Sequence, residues 1–220
     1  MPEPVDHLRF FNAREEIERH TTVLPHWEQP GATYFVTFRL GDSLPQTKLD
    51  VWNAERDQWL STHPKPWSEE DAAEYHRRFS GEIERWLDQG HGACILGDPY
   101  VAGIVGSALR HFEGLRCAQH ALVVMPNHVH ALFTVLGEGA MGDLLHSWKS
   151  WSSHAIHKLR GTSGILWQRD YFDRMIRDSG HFWNCVRYIR RNPVKAGLKP
   201  GQSLVLEADW VAKGLDGKSE

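Results

Sequence analysis

The sequence predicts an α+β fold in which an antiparallel or mixed sheet is packed by helices. Three observations carry the prediction. Candidate elements follow one another as strand, helices, hairpin, helix, strand, helix, rather than as repeated βαβ units. Two apolar runs, LRCAQHALVVM (115–125) and HVHALFTVL (128–136), are separated only by Pro126-Asn127, the spacing of an antiparallel hairpin. The 220 residues are 41% hydrophobic, ample for a substantial core.

Taken in order, residues 1–31 are polar and mixed, with Pro2, Pro4, Pro25 and Pro30 interrupting regular structure, and read as an N-terminal arm. TYFVTFRL (33–40) is rich in β-branched and aromatic residues and ends at Gly41-Asp42-Ser43, which marks a strand and a turn. From Gln46 to Thr62 the apolar residues Leu49, Trp52, Trp59 and Leu60 recur at helical spacing, and Pro64 and Pro66 close the segment. Ser68-Glu-Glu-Asp71 has the form of a capping box and predicts one helix running to about Leu87, before Gly90 and Gly92. Asp98-Pro99 supplies an N-cap and a first-turn proline for a helix over 97–113. After the hairpin, 142–159 is helical, 164–176 reads as a strand or an extended run, and 180–191 is the last clear helix. One domain is expected over 1–220, with its core at about 33–198 and a helical elaboration at about 44–95 that reads equally as a lid or a dimer element.

Composition excludes several classes. The runs ALVVM and VHALFTV fall well short of the ~20 apolar residues a membrane span requires, and MPEPVDHLRFF carries charges where a secretory signal is apolar. A cytoplasmic protein with no membrane partner is expected. Cys94, Cys117 and Cys185 offer neither an even count nor a CxxC pair, which argues against a disulfide framework or a cysteine zinc site. The net charge of −3 hides an uneven distribution. Residues 1–100 hold 10 basic against 18 acidic side chains, whereas 149–199 hold 11 against 3. That basic segment includes Lys149, Arg169, Arg174, Arg187, Arg190, Arg191 and Lys195, interleaved with Trp148, Trp151, Trp167, Tyr171, Trp183 and Tyr188. Cations among rings suit a polyanion whose bases stack, as single-stranded nucleic acid does; a solvated helix face with core aromatics fits the composition as well.

Two constellations could carry chemistry. On a strand, His128 and His130 project to one side with Leu132 and Thr134, while Val129, Ala131, Phe133 and Val135 form the other, apolar, core-facing side. Their Cα atoms lie roughly 7 Å apart, so two imidazoles can grip one metal ion; satisfied, partly buried histidines are the plainer alternative. On the basic helix, Tyr188 and Asn192 are four residues apart and share a face. A tyrosine there can be a nucleophile if a metal polarises the phosphate or cations favour its phenolate, or can simply be a ring packed on the sheet. Asn192 precedes Pro193, so capping of a short turn is its alternative.

VVMPNHVH, HSWKS, LWQRDYFDRMIRD and YIRRNPVKAGL, in that order over roughly 33–198, together closely resemble the REP-associated tyrosine transposases, relatives of the HUH single-strand transposases of small insertion sequences. The resemblance implies a ferredoxin-like core and metal-dependent cleavage and joining of single-stranded or hairpin DNA, commonly at repetitive palindromes. It makes His128 and His130 metal ligands, Tyr188 the nucleophile that forms a 5′-phosphotyrosine and frees a 3′-OH, and Asn192 a third ligand. It implies Mg2+ or Mn2+ as cofactor, whereas imidazoles alone would also permit zinc. Tyr171 lies outside the YIxxNPVK pattern and stands second to Tyr188. The chain departs from many relatives in lacking a longer Trp/Ser-rich tail and in its acidic 41–95 region. The expectation is a DNA transposase or single-strand endonuclease, acting as a monomer or homodimer. The alternatives are a catalytically silent single-stranded or hairpin DNA-binding protein derived from such an enzyme, and a small-substrate hydrolase using the HxH pair.

Overall fold

In the computed structural model, residues 8–15, 17–21, 25–64, 67–137 and 139–216 are described. Strand β3 (Thr33–Arg39), helix α4 (Pro99–Arg110), strands β4 (Cys117–Val124) and β5 (His128–Val135), helix α5 (Met141–Arg160) and strand β6 (Phe172–Met175) form the βαββαβ path. Their sheet order, β6-β3-β5-β4, sets the last strand beside the first, and all neighbours are antiparallel. This is the ferredoxin-like α+β arrangement.

A further strand, β7 (Leu204–Glu207), pairs with β4, so the sheet has five strands among the described residues. It is followed by α7 (Asp209–Asp216). Neither element was expected, because LVLE is too short to show a period and pairs only at an edge.

One sheet face packs against α4 and α5, joining Tyr34, Val36, Phe38, Val129, Ala131 and Phe133 to Leu109, Leu145 and Trp148. The other face is also covered. Helix α6 (Ser179–Lys195) lays Phe182, Val186 and Ile189 on Phe35, Ala121, Val123 and Leu132, and each such apolar side chain taken from water contributes about 1.5–3 kcal/mol. Strand β5 is therefore buried on both sides along its whole length. The period-2 reading correctly separates the two faces of β5, but the histidine face is a second interior, not a polar surface.

Helix α6 also continues through Pro193, its C-cap being Ala196. Asn192 thus lies inside the helix and does not cap a separate turn. Proline cannot donate to the carbonyl one turn back, but near a helix end that loss is small and the tertiary packing overrides it.

The region after β3 folds as α1 (Gln46–Thr62), α2 (Glu69–Tyr75), a wide π turn (His76–Ser80) and α3 (Gly81–Asp88) around Trp52, Trp59, Phe79, Ile83 and Leu87. The Ser68–Asp71 capping box forms, with Asp71 N donating to Ser68 Oγ at 3.0 Å. The single helix expected from Ser68 to Leu87 is instead interrupted by the π turn, whose Phe79 carbonyl accepts the Trp52 indole N–H at 3.2 Å. The loop returning from α3 is pinned to the turn after β3. Gly92 has φ +88° there, and a Cβ would stand 2.6 Å from the Asp42 carbonyl oxygen, so only glycine fits.

The N-terminal segment is more ordered than an arm. Strands β1 (Glu18–Thr21) and β2 (Pro25–Glu28) pair antiparallel, and Phe11 N donates to the Ile176 carbonyl at 2.8 Å beside the sheet. Pro2 and Pro4 lie outside the described residues.

Candidate metal and nucleophile site

The site begins with the register of the sheet. Thr37 on β3 and Val123 on β4 flank His130, and Arg39 lies opposite His128. His128 and His130 are 1% and 0% exposed. Each ring is oriented through Nδ1: His130 meets the Thr37 hydroxyl at 2.7 Å, and His128 meets Asn127 Oδ1 at 2.7 Å. The two Nε2 atoms consequently face each other at 3.1 Å. Two metal–nitrogen bonds of about 2.1 Å meeting at roughly a right angle span that distance. Burial pushes the His128 imidazole down to about 3, with the Lys195 charge adding to the effect. His130 is held well below its ordinary value, first by burial and then by His128, Arg174 and Lys195. Both rings are neutral near pH 7, as metal ligands must be.

Tyr188 comes to this pair from α6. Its ring meets His130 edge-on with centroids 5.1 Å apart, and Phe35 stacks on the same imidazole at 5.5 Å while meeting the Tyr188 ring edge-on at 5.8 Å. The Tyr188 hydroxyl and both polar side-chain atoms of Asn192 are buried and find no hydrogen-bond partner among the described residues. Burying an unpaired polar group costs about 1–3 kcal/mol. Three such atoms on successive turns of one helix, beside two converging imidazoles, are poor design for stability and suit a donor set awaiting a cation. The phenol is pushed well above its ordinary range, first by burial and then by Glu84 and Asp88. Asn192 and Arg174 oppose that shift without overcoming it, and no well-formed hydrogen bond joins Tyr188 to Asn192. Among the described residues no group of three His, Cys, Asp or Glu side chains could hold a metal.

The expected basic residues divide into three sets. Lys195 and Arg174 are at the site: Lys195 Nζ lies 5.9 Å from the Tyr188 ring centre and 2.7 Å from Asp88, while Arg174 pairs with Glu84 at 3.2 Å and covers Phe35. Arg169, Arg187 and Arg191 are exposed. Lys149 and Arg190 are committed elsewhere. Lys149 donates to the Gln168 and Arg169 carbonyls at 3.0 and 2.9 Å and lies over the Phe38 and Tyr171 rings, and burial draws its amine down to about 8. Arg190 makes two 2.6 Å bonds to Glu207 on β7. Tyr171 packs with the α4/α5 core, on the face away from the histidines, and burial pushes its phenol up strongly. Sequence reasoning overlooked Asn127, Thr37, Glu84 and Asp88; only Asn127, inside PNHVH, carried a signal.

Residues 109–192 match the sequence model of the family described as "Transposase IS200 like". Over these residues, and not over the chain as a whole, the protein is similar to the IS200-like transposases. That segment runs from the end of α4 to Asn192, so it holds both histidines and Tyr188 and leaves the α1–α3 insertion outside. Among solved structures, the chain is similar to "Structure of the REP associates tyrosine transposase bound to a REP hairpin", with 18% identity over 78% of this chain and 72% of that one and a TM-score of 0.42. It is also similar to a putative transposase from Deinococcus radiodurans, with 16% identity over 75% of this chain and 93% of that one and a TM-score of 0.30. Neither similarity is close enough to carry an argument. No curated protein matches the chain. Among the described residues no helix is long and apolar enough to cross a membrane.

Proposed function

We propose that this chain is a metal-dependent tyrosine transposase or nuclease that cleaves and rejoins single-stranded or hairpin DNA at repetitive palindromes. The observation that carries the reading is the unpaired Tyr188 hydroxyl beside two neutral, converging imidazoles and the unpaired Asn192 amide. His128, His130 and Asn192 would hold Mg2+ or Mn2+. Bound there, the ion supplies Lewis-acid polarisation of the scissile phosphate.

The protein's own groups do the rest. Tyr188 Oη forms a bond to phosphorus as it loses its proton, and the phosphorus–O3′ bond breaks. The 3′ oxygen leaves with a proton, and the 5′ phosphate stays on the tyrosine. Lys195 places positive charge beside the phenol ring as negative charge develops. Attack by another 3′-OH reverses the step and joins strands without a nucleotide cofactor. Exposed Arg169, Arg187 and Arg191 would track the phosphate backbone, giving binding that weakens with salt. In this reading the whole chain acts as one domain, as a monomer or homodimer in the cytoplasm.

Labelled single-stranded oligonucleotides carrying host palindromes, incubated with Mn2+, test the proposal. A covalent protein–DNA adduct is expected from the wild type and from none of the Tyr188→Phe protein. No adduct and no cleavage from folded wild type across a broad panel overturns it, and salt-dependent binding alone would assign a silent DNA-binding role.

A further inference from the structure

The insertion α1–α3 touches the site at one buried side chain in particular. Asn127 is 1% exposed. Its Nδ2 donates to the Leu87 carbonyl at the end of α3 (3.2 Å) and to the His91 carbonyl just beyond (3.1 Å). Both amide protons are thereby used on α3 and its return loop. A flipped amide would set Oδ1 against two carbonyl oxygens, so the orientation is determined by chemistry. Oδ1 must then face His128 Nδ1, at 2.7 Å. An amide oxygen only accepts, so Nδ1 of His128 carries the proton and Nε2 presents its lone pair toward His130.

The second histidine is held differently. The Thr37 hydroxyl opposite His130 Nδ1 can donate or accept. His130 is free to hold its proton on Nε2, donating across the 3.1 Å gap to His128, or to move it to Nδ1 when both lone pairs are required. One ring is locked and its partner is switchable.

We propose, building on the metal-site reading above, that the insertion is a working part of the site and that Asn127 is its positioning residue, by which the end of α3 sets the tautomer of His128. The insertion lies outside the transposase segment, yet the same helix also holds Lys195 through Asp88 and Arg174 through Glu84. Three site side chains are thus aimed by an element that contributes no metal ligand of its own.

The first test uses the wild-type protein without metal. Nitrogen-15 NMR should show His128 protonated on Nδ1 and bare on Nε2; a proton on Nε2 overturns the proposal whatever any variant does. Next, Mn2+ binding is measured by calorimetry for the wild type and for Asn127→Ala. Loss of such an outer partner typically weakens metal binding 10–100-fold, and the Ala variant should show that loss together with mixed His128 tautomers. Folded Asn127→Ala protein with unchanged tautomer and unchanged Mn2+ affinity sinks the inference while leaving the metal site standing. Failure of the wild type to bind Mn2+ at all instead removes the metal-site reading on which it rests.

Discussion

Tyr188 and Asn192 are residues whose side chains the fold holds at a cost. Removing the orphaned hydroxyl leaves the ring packed between Phe35 and His130 and relieves a buried polar group. Tyr188→Phe should therefore raise metal-free stability by about 1 kcal/mol, shifting the thermal midpoint up by a few degrees in a scan of the metal-free protein. A lowered midpoint would mean that the hydroxyl has a partner after all. The same scale shows what the sequence could reveal. The i, i+4 relation of Tyr188 and Asn192 was legible because helical geometry is local, as was the shared face of the histidines. The commitment of Lys149 to two carbonyls was not, because its partners lie some twenty residues away and backbone oxygens leave no mark on a residue pattern.

Among elements, those with a strong local signal were readable: the hairpin, helix α1 with its apolar periodicity, the capped helix α4, and α5. β7 was not, since it becomes a strand only by pairing with β4. Its attachment rests partly on the Arg190–Glu207 pair, whose side chains are 32% and 12% exposed. A partly exposed pair of good geometry contributes about 1 kcal/mol. Arg190→Gln should accordingly speed amide exchange in Leu204–Glu207 while leaving β5 unchanged, and exchange that rises equally in both strands would show that β7 does not open separately. Helix α6 shows the opposite error of reading. Proline in YIRRNPVK looked like a boundary, but packing of Phe182, Val186 and Ile189 carries the helix past it and thereby sets the direction of Asn192.

For the molecule as a whole, two interiors sandwich one sheet, and the histidines occupy the second. Their folded pKa values lie below the unfolded value of about 6.5, so between that value and the folded ones the unfolded chain binds protons that the native state refuses. The stabilisation is complete above pH 6.5 and is lost as pH falls, by up to about 1.4 kcal/mol per pH unit for each ring. Urea denaturation of the metal-free protein should show a steep drop in midpoint from pH 6.5 to 4, shallower in a His128→Gln, His130→Gln double variant; equal slopes would show that the rings are not held neutral. The ferredoxin-like order was foreseeable only through the four serial motifs, because no local pattern states which strands lie side by side.

Strand β5 has neighbours on both edges and cover on both faces, and this bears on how such a protein can change over generations. Its histidines inherit the restrictions of an interior strand, where a one-methylene change in Phe35, Val123 or Ile189 disturbs their spacing. Arg169, Arg187 and Arg191 stand in solvent and answer to no such packing. Under the proposed function, nucleic-acid preference would drift among the outer arginines while the geometry around the histidines stays under the slow clock of the core.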